Sequence, residues 1–119
     1  MHSPFYQLSG IAEGLNYLHS CNVIHGDLKG VSGHPRPSTA TLIPGQSNTL
    51  VDAAGRARVT DFGLSVVTRD LDPVRCDSSE NDHGFRWTAP EIADGRGTCS
   101  MEADIFSFAG VTIEVRFRW

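Results

Sequence analysis

His25-Gly26-Asp27-Leu28-Lys29-Gly30, near the front of this 119-residue chain, is the stretch on which its fold turns. It sets a carboxylate and an ammonium two residues apart in a loop flanked by glycines, and Lys29 is the only lysine in the chain. Two further short motifs follow in order, Asp61-Phe62-Gly63 and Ala89-Pro90-Glu91. Taken singly, the second is a turn and the third a helix start. Their fixed order, with a hairpin pattern between the first two, carries far more information than any one of them.

Outward from this stretch, residues 3–20 read as a helix. Ser3 caps it and Pro4 suits its first turn. Phe5, Leu8, Ile11, Ala12, Leu15 and Leu18 recur at three- and four-residue steps and define its buried face. Gly10 and Gly14 each cost about 1 kcal/mol against alanine, so the helix needs a packing partner. Val23-Ile24 reads as a stub of strand. Residues 31–47 hold three prolines among glycine, serine and threonine and read as an irregular loop. Thr49-Leu50-Val51 and Arg56-Ala57-Arg58-Val59-Thr60 read as two short strands about a turn. Residues 68–84 are polar, acidic and turn-rich. Met101 to Val115 is a second helix, apolar on nearly all sides, which is the pattern of a helix at the centre of a larger protein.

The formal charge of −4 lacks the basic stripe of a nucleic-acid or anionic-membrane surface, and no run of eighteen apolar residues is present. Cys21, Cys76 and Cys99 are odd in number and widely spaced, which predicts no disulfide framework and a reducing, cytoplasmic setting. Cys76 and Cys99 read as ordinary loop residues. His19, Cys21 and His25 have no standard zinc spacing.

HGDLK, DFG and APE in this order and spacing resemble the C-terminal lobe of eukaryotic protein kinases. The resemblance implies an α+β, protein kinase-like fold, a partial C-terminal lobe that is mainly helical with short hairpins, over residues 1–119. Residues 68–91 would be activation-segment-like. The function implied is ATP-dependent phosphoryl transfer to a protein serine or threonine, with ATP and Mg2+ as cofactors and a protein as substrate. Asp27 would accept the substrate hydroxyl proton and Lys29 would reach the γ-phosphate. Asp61 and Asn48 would hold Mg2+, a hard cation that takes oxygen ligands, and Leu50 would lie beneath the adenine. Asp104 resembles the buried aspartate that accepts backbone N–H bonds from the HGD turn. Lys29 looks Ser/Thr-directed, whereas Trp87-Thr88 before the APE motif has a tyrosine-kinase flavour.

The departures from the family pattern are as informative. The metal-binding asparagine stands five residues after the aspartate in the family; Ser32 holds that position here and Asn48 lies 21 residues on. Removing residues 31–46, an excess of 16, restores the spacing. Val31-Ser32 can be encoded by GTNAGY and Gln46 by CAG, the two ends of an intron. Residues 31–46 therefore read as an intron translated in frame, with a genuine surface insertion as the alternative. Val115-Arg116 can likewise encode a splice donor. Gly26 replaces the usual arginine, which removes a reader of activation-loop phosphate, and Gly84 stands where Ser/Thr kinases place a threonine. No Gly-rich phosphate loop or partner lysine precedes the motifs. This chain by itself is expected to be inactive, and the competing reading is a non-catalytic, pseudokinase-like binding module.

Overall fold

The computed structural model describes residues 4–32, 49–51, 54, 56–60, 66–67 and 86–118. Helix α1 runs Pro4–Ser20. Strand β1 is Val23–Ile24, β2 Val31–Ser32, β3 Thr49–Val51, β4 Ala57–Val59 and β5 Val66–Val67. A short helix α2, Pro90–Ala93, precedes the long helix α3, Met101–Arg118. The two sheets are small. Strand β1 pairs antiparallel with β5, and β3 lies between β2, its parallel neighbour, and β4, its antiparallel one.

Helix α1 begins at Pro4, whose missing N–H costs nothing in a first turn. It ends where Asn22 takes a left-handed φ of 57°, with the Asn22 N–H donating to the His19 carbonyl. That turn sends the chain directly into β1. The buried face is narrower than the periodicity predicts. Ile11 and Leu15 are buried and Leu8 packs against them, but Phe5 and Ala12 are exposed, and Gln7 is buried in their stead. Ser3, the expected cap, lies outside the described residues.

The glycines of α1 find the partner that their propensity cost demands. A Cβ on Gly10 would stand 2.6 Å from the Ala57 carbonyl oxygen, and one on Gly14 would meet the Val59 side chain at 3.4 Å. Helix α1 therefore lies backbone-close on β4, which only glycine allows. The main core gathers Ile11 and Leu15 of α1, Ala57 of β4, Val111 and Val115 of α3, and Leu28 of the loop between β1 and β2. A second, smaller cluster joins Ala89, Ile92 and Ala103.

Two expectations are corrected. Residues 31–46 do not begin as irregular loop, because Val31–Ser32 forms β2 in register with Thr49–Leu50; residues 33–46 lie outside the described residues. A parallel pair needs a crossover of a dozen or more residues, and the sixteen between Ser32 and Thr49 suffice. Helix α3 extends to Arg118, and one flank of it, with Ile105, Phe106, Ile113 and Phe117, faces outward. Among the described residues, no helix is long and apolar enough to cross a membrane.

Candidate functional site

The site is built on a carboxylate that arrives from far along the chain. Asp104, in the first turn of α3, is 2% exposed. Its Oδ2 accepts the His25 backbone N–H at 2.8 Å, and its Oδ1 accepts the Gly26 N–H at 3.0 Å. Two successive amides of the HGD turn thus converge on one side chain, as the resemblance implies. A buried carboxylate is costly unless its oxygens are satisfied, and hydrogen bonds to a charged group contribute about 1.5–3 kcal/mol each. The anchor therefore both needs the loop and fixes it.

A third donor has no signature in the sequence. His19 Nε2, in the last turn of α1, lies 2.8 Å from Asp104 Oδ2. An ionised carboxylate only accepts, so His19 donates from Nε2. His19 thereby joins α1 to α3 at the point where α3 holds the loop. Its three-residue spacing from Asn22, which turns the chain, gives no sign of this, since the partner is 85 residues away.

His25 is fully buried and orders the loop from inside. The Asp27 N–H donates to His25 Nδ1 at 3.1 Å, so the ring proton resides on Nε2, which donates to the Thr60 carbonyl at 2.8 Å. Thr60 directly precedes Asp61 in sequence, and this bond ties the end of the β3–β4 hairpin to the HGD turn. Gly26 has φ of 81°, in the left-handed region that glycine enters freely and an arginine would enter only under strain. Leu28, buried in the main core, pins the loop between Asp27 and Lys29.

Asp27 and Lys29 flank the buried Leu28. Lys29 Nζ stands 3.4 Å from Asp27 Oδ1, with both side chains partly exposed. Leu50 on β3 is also exposed. The structure thus describes Asp27, Lys29 and Leu50, whereas Asn48 and Asp61 lie outside the described residues, as do the DFG motif and residues 68–85. Among the described residues, no group of three His, Cys, Asp or Glu could hold a metal ion, and His19 and His25 are engaged as above. Cys99 is disulfide-bonded, contrary both to its reading as an ordinary loop residue and to the expectation, from the odd and widely spaced cysteines, of a chain without disulfides in a reducing setting; Cys21 is free and exposed. A groove of about 590 Å3 between α1 and β4, lined by Tyr6, Glu13, Tyr17 and Arg58 among others, shares none of the site residues.

The family model for protein tyrosine and serine/threonine kinases matches residues 45–117. The leucine-rich repeat receptor-like protein kinase PXC2 of Arabidopsis thaliana is 34% identical over 113 residues, which cover 93% of this chain and 10% of that protein. The serine/threonine-protein kinase STY17 of the same plant is 30% identical over 105 residues, 88% of this chain and 15% of that protein. An inactive leucine-rich repeat receptor-like serine/threonine-protein kinase, also from Arabidopsis thaliana, is 30% identical over 105 residues, 88% of this chain and 14% of its own length. The chain therefore spans about a tenth to a seventh of the length of these relatives.

Proposed function

This chain belongs to the protein tyrosine and serine/threonine kinase family, and from that premise we propose that it carries the phosphoryl-transfer half of an ATP-dependent Ser/Thr-type protein kinase. The observation that carries the reading is the Asp104 carboxylate accepting both the His25 and Gly26 amides. That anchor fixes the backbone turn that carries Asp27, as a group that would meet an acceptor hydroxyl requires. With ATP bound, the acceptor oxygen would form a bond to the γ-phosphorus as the bond to the bridging oxygen of ADP breaks, and Asp27 would take the hydroxyl proton. Lys29, beside Asp27, offsets negative charge on the transferring group and steadies the carboxylate before substrate arrives.

Asp61 and Asn48 are the residues that would hold Mg2+, an all-oxygen donor pair that suits a hard cation. When bound, the ion would neutralise charge shared by the phosphates. The His25–Thr60 bond supports this assignment, because it holds the residue before Asp61 against the HGD turn. Leu50 would lie beneath the adenine. The substrate would be a protein hydroxyl, and the setting the cytoplasm, where ATP is available. Residues 1–119 would form part of a C-terminal lobe, with 68–91 as its activation segment and 31–46 as a retained intron. Sequencing cDNA across the codons for Gly30 to Asn48 tests the last point, with most message expected to lack 48 nucleotides. Their presence in essentially all spliced message would overturn it.

A second reading, a non-catalytic binding module, is favoured by Gly26 in the arginine position and by the resemblance to an inactive relative. The full-length product of the gene separates the two. The enzyme reading requires transfer of the γ-phosphate of ATP to a protein, abolished by Asp27→Asn; its absence with nucleotide still bound selects the module. The polypeptide of these 119 residues is expected to show no measurable transfer, because catalysis by positioning needs the triphosphate held from both sides.

A further inference from the structure

The groove between α1 and β4 takes no part in the phosphoryl-transfer reading, yet its make-up is distinctive. Tyr6 and Tyr17 stand eleven residues apart on α1. That separation is close to the ~10.8 residues of three helical turns, so the two rings share one stripe of the helix, ~16.5 Å apart. They are 55% and 68% exposed, and both line the groove. Gly10 and Gly14, which lie against β4, put no side chain between them.

The strand side and the helix side carry opposite charges. Ala57 is buried in the main core, and its neighbours Arg56 and Arg58 are exposed and line the groove. Such alternation is what a strand with one face on a core produces. Across from them stands Glu13 on α1, whose Oε1 accepts the Ser9 hydroxyl at 3.3 Å. Two guanidinium groups against one carboxylate give the groove a positive balance in a chain of formal charge −4.

From this constellation we infer that the groove is a docking site for an extended acidic segment of a partner protein. The span between the tyrosines equals about five residues of extended chain at ~3.3 Å each. The volume of about 590 Å3 falls among those of ligand-binding clefts. Guanidinium groups only donate and match carboxylates in two-pronged pairs, so acidic side chains of the segment face β4. Glu13 only accepts, so backbone N–H groups of the segment face α1. Tyrosines at both ends offer rigid rings on which apolar side chains pack, and Tyr and Arg are residue types that dominate binding energy at interfaces. The described lining belongs to α1 and to residues 56–59, apart from the phosphoryl-transfer residues and from 31–46.

A phage-displayed library of random octapeptides, panned against the full-length product of the gene, tests the inference. The expected consensus has Asp or Glu at its centre and apolar residues towards both ends. A synthetic peptide of that consensus, followed by fluorescence anisotropy, should bind about ten-fold more weakly to Tyr17→Ala and to Arg58→Glu. Its affinity should also fall as salt rises from ~0.1 M to ~1 M, where screening shortens to a few ångströms. The same peptide with lysine in place of its acidic residues should bind Arg58→Glu better than the parent. Circular dichroism verifies folding, and Arg58→Gln decides should the glutamate variant not fold. A panning that enriches nothing, a consensus without acidic residues, or an affinity that none of these substitutions changes overturns the inference. Binding to this 119-residue chain but not to the full-length product overturns it too, because the protein's own chain would then fill the groove.

Discussion

Asp104 and Ile105 are neighbours on α3 and have opposite fates: the charged residue is 2% exposed and the apolar one 53%. The inner side of α3 meets α1, the HGD turn and the main core, while its outer side carries Ile105, Ile113 and Phe117 into solvent. Hydropathy alone would invert the pair. What decides is the supply of partners. Asp104 finds three donors within hydrogen-bond reach, from His19, His25 and Gly26, so its burial is compensated. Ile105 finds no covering element among the described residues and stays in water.

The sharpest way to break this comparison is to remove the inner partner. Asp104→Ala strands two buried backbone amides and His19, and is expected to cost about 3–5 kcal/mol, read as a lowered urea midpoint. Asp104→Asn keeps one acceptor oxygen and should cost about half as much. A loss below about 1 kcal/mol for the alanine variant would mean that the carboxylate is not the anchor.

Gly10 sharpens the comparison on the inner side of α1. By propensity, Gly10→Ala should stabilise the helix by about 1 kcal/mol. Its Cβ would instead stand 2.6 Å from the Ala57 carbonyl oxygen, a backbone atom with little freedom to yield. The expected outcome is a net loss of about 1–3 kcal/mol, measured by thermal or urea unfolding. A gain in stability would show that α1 and β4 are not held backbone to backbone.

The smallest effect belongs to the outer side. Serine at Ile105, Ile113 and Phe117 removes exposed apolar surface and should change stability by less than about 0.5 kcal/mol for each substitution. Solubility should rise, and light scattering at matched concentration measures it. A large loss of stability would mean that this flank is covered in solution.

The sequence by itself determined the kinase family, through HGDLK, DFG and APE in order, and it placed both helices and the β3–β4 hairpin. Those features are local or follow motif order, so periodicity and spacing reveal them. It also singled out Asp104 as the holder of the HGD turn, because that role travels with the family resemblance. Tertiary structure decided the rest. His19 as the third donor, Gly10 against Ala57, Leu28 in the core, and Val31–Ser32 as a strand all depend on partners remote in sequence. The buried stripe of α1 shifted from Phe5 and Ala12 to Gln7 for the same reason. Periodicity says that a helix has an inside, but only the packed neighbours say which residues face it. A carboxylate with three donors is buried, and an isoleucine with no neighbour is not.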